Sequence, residues 1–241
     1  MKNSIKKIIK REKFNPRILG IFINNNYSIR RLLYKNLKNN APLLKGKLLD
    51  FGCGSKPYEK LFINSNEYIG VDYKIEGRTE NIDKIDYFYD GKKIPFENNT
   101  FDGILCTEVL EHVFNIDEVL EELNRVLKPN GKALITTPFM WEEHEMPYDF
   151  ARYTTPALKH LYNKHGFVII KHIKSGSTIY VIFQFCLNYL KNTLPGNKII
   201  RQILLLPFIF IFNFLGTLFG FILPKDELSY FNNIFILEKR S

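Results

Sequence analysis

Residues 48–54 read Leu48-Leu49-Asp50-Phe51-Gly52-Cys53-Gly54, and eighteen positions beyond Gly54 stands Asp72, closing Tyr68-Ile69-Gly70-Val71-Asp72. The first apolar run stops at a glycine turn, whose missing Cβ atoms let backbone approach a ligand. The second ends in an acid at the distance where a ribose diol lies in a doubly wound α/β sheet. Position 57, where a dinucleotide fingerprint asks for a third glycine against pyrophosphate, holds Pro57. Proline suits the first turn of a helix, but it denies that close approach. The spacing therefore favours a nucleoside without phosphates over a nicotinamide dinucleotide.

Outward from this stretch, strand and helix patterns alternate, as in a parallel sheet with crossover helices. Strands are expected at Lys47–Phe51, Tyr68–Asp72, Tyr87–Tyr89, Phe101–Cys106 and Lys132–Thr136, then Phe167–Ile173 and Tyr230–Leu237. Helices are expected over Tyr27–Lys38 and near Pro57–Ile63, Ile116–Leu127 and Thr155–His165. The last carries the fullest signal: Thr154 or Thr155 as cap, Pro156 in the first turn and Gly166 at the end.

Further segments stand in order: Asp90-Gly91-Lys92-Lys93-Ile94-Pro95-Phe96, Thr100-Phe101-Asp102-Gly103-Ile104, Glu108-Val109-Leu110-Glu111-His112-Val113 and Leu127-Lys128-Pro129-Asn130-Gly131-Lys132. With the two glycine-turn strands, they make residues 45–175 resemble the class I S-adenosylmethionine-dependent methyltransferases. The resemblance implies a Rossmann-like, seven-stranded, mostly parallel sheet whose last strand pairs antiparallel with the sixth. It also implies S-adenosylmethionine as cofactor. Asp50 would orient the glycine turn near the positive methionine moiety. Gly52, Cys53 and Gly54 would line the cofactor, and Asp72, with Tyr73 beside it, would take both ribose hydroxyls. Asp90 and Gly91 match the position that reads the adenine edge, and Thr107 and Glu108 the floor beneath the sulfonium.

The acceptor side is expected in the loop after the fifth strand, where open α/β sheets bind ligands. His144, Tyr148, Asp149 and Arg152 lie there among several aromatics. Similar loops occur in methyltransferases of bacterial surface-polysaccharide synthesis. His144 is the loop side chain whose reference pKa suits a general base near neutrality. Tyr148 and Arg152 would position an acceptor, although Asp149 and Arg152 at i, i+3 also suit a local ion pair. Glu108, Glu111 and His112 invite a metal reading, but no further ligand follows at a matching spacing, so no metal is expected.

Charge is unevenly placed. Residues 1–47 carry a net +12, residues 48–174 a net −6 and residues 175–241 a net +3. The arms therefore seek anions. Ile5, Ile8 and Ile9 among lysines suggest a short basic amphipathic segment, and no secretory leader is expected. Cys53, Cys106 and Cys186 show no paired spacing, which favours reduced thiols.

Four parts are expected: a basic arm and helix (1–46), the cofactor-binding core (47–175), an apolar insertion (176–227) and the final strand (228–241). Ile203–Leu223 has 21 residues without a charge, long enough to cross a bilayer. Pro207, Asn213, Gly216 and Gly220 are expected to break the helix, and entry and exit on one side favour a hairpin lying in one leaflet. The expectation is thus an enzyme on the cytoplasmic membrane face, held by anionic lipid. It would methylate an amphiphilic or saccharide acceptor, by O-methylation in glycan synthesis or on an isoprenoid quinone precursor. Nucleic acid is disfavoured, because an Asn/Asp-Pro-Pro-aromatic tetrad is lacking. A non-catalytic membrane adaptor with the same fold is the rival from another class.

Overall fold

The computed structural model describes residues 8–9, 11–73 and 82–241. The basic amphipathic segment built on Ile5, Ile8 and Ile9 lies largely outside them. Within them the chain forms two compact units. One joins the N-terminal segment up to Asn36 to Lys174–Phe231, and the other comprises Leu37–Ile173 with Asn232–Ser241. The arm and the apolar insertion, expected as separate parts, thus belong to one body.

The second unit is a seven-stranded sheet in the order β3-β2-β1-β4-β5-β7-β6. The strands are β1 (Gly46–Phe51), β2 (Ser65–Tyr73), β3 (Tyr87–Tyr89), β4 (Phe101–Thr107), β5 (Leu127–Pro138), β6 (Phe167–Ser175) and β7 (Asn232–Lys239). β1, β2, β3, β4 and β5 pair in parallel, and β7 runs antiparallel to β5. β7 is the neighbour of β6, as expected, and its insertion beside β5 makes it an interior strand.

Apolar runs such as Leu48-Leu49 and Ile104-Leu105 are fully buried because both faces of a parallel sheet are covered. Helix α1 (Tyr27–Asn40) leads into β1. Helix α2 (Ile116–Val126) buries Val119, Leu120, Leu123 and Val126, one helical stripe. Helix α3 (Thr155–Lys164) starts at Thr154, whose side chain accepts the Ala157 N–H. The helix expected over Pro57–Ile63 reduces to a single 3-10 turn, Glu59–Leu61. Lys56 just before it sits at φ 51, a left-handed residue that a helix start does not accommodate.

The first unit is built on α4 (Thr178–Thr193) and α5 (Lys198–Ile222). α5 runs unbroken for 25 residues, contrary to the expected interruptions. Gly216 and Gly220 serve instead as close-packing positions. A Cβ on Gly220 would lie 2.4 Å from the Tyr180 ring, and one on Gly216 would lie 3.2 Å from Phe183. Asn213 is buried, and its amide donates to the carbonyls of Ile21 (3.1 Å) and Asn24 (3.0 Å). Gln184 donates likewise to the Asn25 carbonyl at 2.8 Å. These polar side chains satisfy the backbone of an N-terminal turn lodged among apolar helices.

Candidate active site

The parallel strands β1, β2, β4 and β5 bring their carboxyl ends to one edge of the sheet. There Gly52 and Gly54 turn the chain with φ values of 72° and 51°. A Cβ on Gly52 would stand 2.3 Å from the Val109 side chain, whereas one on Gly54 would meet nothing within 4 Å. Open space therefore lies against the Gly54 backbone. The N–H groups of Gly52 and Cys53 donate to the Val71 carbonyl at 2.8 and 3.1 Å. The Gly54 N–H donates to Asp72 Oδ2 at 3.0 Å. The two features that the spacing paired are thus in direct contact. The Tyr73 N–H reaches the other Asp72 oxygen at 2.8 Å.

Cys53 stands between the two glycines with its side chain turned into the protein. Its thiol is buried, its amide is taken, and burial holds the thiol protonated far above the usual range. Asp50 is 3% exposed and accepts the Tyr68 hydroxyl at 2.6 Å. Burial pushes its carboxyl up to about 7, against the opposing pull of that hydrogen bond and of Lys56. Asp90 spends Oδ1 on the N–H groups of Lys92 (2.9 Å) and Lys93 (3.1 Å), which hold its pKa below the usual range. Gly91, at φ 89°, lies so close to Tyr73 that a Cβ there would be 3.3 Å from the ring.

Thr107 ends β4 in register with Thr136 of β5. Glu108 follows in a left-handed conformation, φ 54°, which costs a non-glycine residue about 1–3 kcal/mol. Its carboxylate accepts Thr136 Oγ1 and Asn232 Nδ2, each at 2.6 Å. Neither Thr136 nor Asn232 stood out in the sequence. Only the β4–β5–β7 order brings them to Glu108.

In the acceptor loop, Asp149 organises the backbone. It accepts the His144 N–H at 2.9 Å and two Arg152 nitrogens at 2.7 Å each. Arg152 also donates to the carbonyls of Glu142 (3.0 Å) and Ala151 (2.8 Å). Its guanidinium braces the loop, and it holds the Asp149 carboxyl well below the usual carboxylate range. Tyr148 has an exposed side chain, but its carbonyl accepts His112 Nδ1–H at 2.6 Å. His144 Nδ1 stands 3.3 Å from Asp149 Oδ2. Burial holds its pKa below the usual value; Asp149 opposes this, while the His112 and Arg152 charges add to it.

The N–H groups of Phe150 and Ala151 clip the loop to the Glu111 carbonyl at 2.8 and 3.2 Å. Glu111, His112 and His144 consequently gather, with one ligand-capable atom from each within 4.8 Å of the others. The Glu111 side chain is fully buried, and neither oxygen meets a hydrogen-bond donor among the described residues. Burial, and next the charge of Glu108, push its carboxyl well above the usual range. The expectation of no metal rested on the lack of a further ligand. The fold, and not a short spacing, brings His144 beside Glu111 and His112.

A family model described as a methyltransferase domain matches residues 24–172. A ubiquinone biosynthesis O-methyltransferase of Rickettsia canadensis is 29% identical over 121 residues, 47% of this chain and 51% of that protein. Another, from Pelagibacter ubique, is 32% identical over 116 residues, 43% and 47% of the two chains. An uncharacterised protein of Methanocaldococcus jannaschii is 33% identical over 111 residues, 43% and 44%. The match spans about half the length of these relatives. Among solved structures, a phosphoethanolamine N-methyltransferase of Haemonchus contortus in complex with S-adenosyl-L-methionine superposes with TM-score 0.57. It is 18% identical, over 96% of this chain and 59% of that one. A cyclase superposes with TM-score 0.59 and 17% identity, covering 89% of this chain and 83% of that one. At such identities the likeness speaks for the fold, and the cyclase illustrates that the fold alone does not dictate a reaction.

Proposed function

This chain belongs to the methyltransferase-domain family, and we propose that it is a membrane-associated S-adenosylmethionine-dependent methyltransferase acting on a hydroxyl of an amphiphilic or saccharide acceptor. The observation that carries the cofactor is the Gly54–Asp72 contact beside open space at Gly54. Asp72 would hold the ribose diol, Gly52 and Gly54 would admit the nucleoside, and Asp50 would face its cationic end. S-adenosylmethionine would supply an activated methyl group on a sulfonium. Asp149 anchors the His144 backbone N–H, and the ring, whose Nδ1 accepts from Arg152 Nη2 at 3.3 Å, would take up the proton of the acceptor hydroxyl. Asp149 and Arg152 keep that loop in place, and Tyr148 presents an exposed ring to an acceptor.

A membrane site is supported by α5, with mean hydropathy 2.2 over an 18-residue window of which only 22% is buried. Phe22 of the N-terminal segment stacks on Phe210 at 4.9 Å. The two chain pieces thereby form one apolar surface. A quinone-precursor acceptor is the second reading, favoured by the ubiquinone-biosynthesis relatives.

Calorimetric titration with S-adenosylmethionine tests the core of this reading. Micromolar binding, about −8 kcal/mol, is expected. Asp72→Ala should weaken it by about 2 kcal/mol, the scale of a lost charged hydrogen-bond pair. Equal affinity in wild type and variant would remove Asp72 from the site. No binding at all would favour a non-catalytic adaptor. Methyl transfer to glycan-lipid and quinone-precursor acceptors, assayed side by side, separates the two acceptor readings.

A further inference from the structure

We propose that Tyr68 is a positioning residue for the cofactor: its hydroxyl, donated to Asp50, fixes that buried carboxylate for the cationic end of S-adenosylmethionine and sets the pH range over which the cofactor binds. This role rests on the methyltransferase reading of the site. The Tyr68 hydroxyl lies 2.6 Å from Asp50 Oδ2. Among the described residues it is the one hydrogen-bond donor that reaches the Asp50 side chain.

Strand register explains why the donor comes from there. Asp50 of β1 stands opposite Gly70 of β2, and Leu48 opposite Tyr68. Gly70 has no side chain to offer, and none would fit. A Cβ there would lie 2.3 Å from Lys56 Cε and 2.7 Å from Cys53 Sγ. The hydroxyl therefore reaches Asp50 from two residues earlier on β2, on the same face of the sheet. The Lys56 chain crosses Gly70, but its ammonium pairs with Asp86, which also accepts the Gly70 N–H at 2.7 Å. The nearby cation is thus engaged elsewhere.

A tyrosine does here what a lysine or arginine would not. A cationic partner would neutralise Asp50, whereas a phenol hydroxyl fixes the carboxylate and leaves its negative charge to a ligand. Burial pushes the Asp50 carboxyl up to about 7, and the Tyr68 hydrogen bond is the largest influence in the other direction. Lys56 acts in the same sense as Tyr68, while Asp72 and Glu59 oppose it. Burial, and next the Asp50 charge, push the Tyr68 hydroxyl far above its usual range, so it stays a donor across the ordinary pH scale.

A hydrogen bond to a charged group moves an ionisation equilibrium by about tenfold. Without it Asp50 ionises only at higher pH, and binding of a cation follows. Tyr68→Phe keeps the ring and removes the hydroxyl. It should bind S-adenosylmethionine about fivefold more weakly than the wild type at pH 7, and with about the wild-type affinity at pH 8.5.

The test is calorimetric titration of the full chain with S-adenosylmethionine from pH 6 to pH 8.5, for wild type, Tyr68→Phe, Asp50→Asn and the double variant. The gap between Tyr68→Phe and wild type should narrow as pH rises, and Tyr68→Phe should change affinity by no more than about twofold in the Asp50→Asn background. A merely structural loss would be equal at every pH and would persist in the double variant; either result overturns the role. Circular dichroism checks that Tyr68→Phe folds. If it does not, 3-fluorotyrosine placed at position 68 serves instead, being a stronger donor of nearly the same shape. Binding at pH 6 should then strengthen by about twofold, and unchanged or weaker binding overturns the role. Absence of S-adenosylmethionine binding in the wild type at every pH overturns the cofactor reading and this role together, whereas binding with parallel pH profiles overturns this role alone.

Discussion

Asp50 and His144 are both perturbed by burial, and burial acts on them in opposite senses because one is charged when deprotonated and the other when protonated. Asp50, pushed up to about 7, is part neutral at physiological pH in the free protein. A cationic ligand selects its ionised form, so S-adenosylmethionine should bind about tenfold more weakly at pH 6 than at pH 8, and Asp50→Asn should flatten that dependence. Titration at both pH values checks this; a flat wild-type profile would detach Asp50 from the cofactor. The same group bears on stability in the opposite direction. Its folded pKa exceeds the unfolded value of 3.8, so its contribution is full below about pH 4 and lost as pH rises through 7. His144, held below its ordinary pKa, keeps its lone pair into mildly acidic solution. His144→Ala should lower kcat by about 10²–10⁴-fold on a hydroxyl acceptor while leaving cofactor affinity intact. A steady-state rate unchanged at saturating acceptor would reduce the residue to a loop brace.

α5 is an element whose composition and packing argue for different things. By length and composition it could cross a membrane, and on that account replacing the Asn213 amide with an apolar side chain should only improve it. Its packing predicts the reverse. Asn213 holds the Ile21 and Asn24 carbonyls, and removing it strands both in an apolar setting. Asn213→Leu should therefore destabilise the first unit by about 1–3 kcal/mol. Chemical denaturation of the detergent-solubilised protein, with proteolysis near residues 20–26 as local probe, separates the two accounts. Greater stability in the variant would mean that this contact is not maintained.

The whole molecule combines a sheet that closes β6 beside β7 with a long apolar excursion between those strands. Laying about 400 Å² of the apolar face of α5 in a bilayer, at about 25 cal/mol/Å², contributes on the order of 10 kcal/mol before ordering costs. Lysines near anionic lipid add about 1 kcal/mol each, a contribution that salt screens. High-salt washing should therefore leave the protein on membranes and detergent should release it; release by salt alone would overturn the insertion of α5. Replacing residues 176–227 by a short turn should leave Phe22, the stacking partner of Phe210, without its cover. A soluble, cofactor-binding core then calls for changes in the N-terminal segment as well.

The glycine turn and Asp72 were legible from residues 48–72 because close backbone approach and apolar runs leave local marks, and the pairing of the last two strands followed from the family resemblance. The cap at Thr154 and the Asp149–Arg152 pair were legible for the same reason. The helix expected after Pro57 was not, since a left-handed Lys56 cannot be read from residue type. Nor was the continuity of α5, because whether a glycine breaks a helix or seats a facing ring depends on what packs against it. His144 beside Glu111 and His112, and Thr136 and Asn232 on Glu108, belong to the tertiary structure alone. Contacts between residues far apart in the chain are fixed by strand order and loop anchoring, and no short-range pattern encodes them.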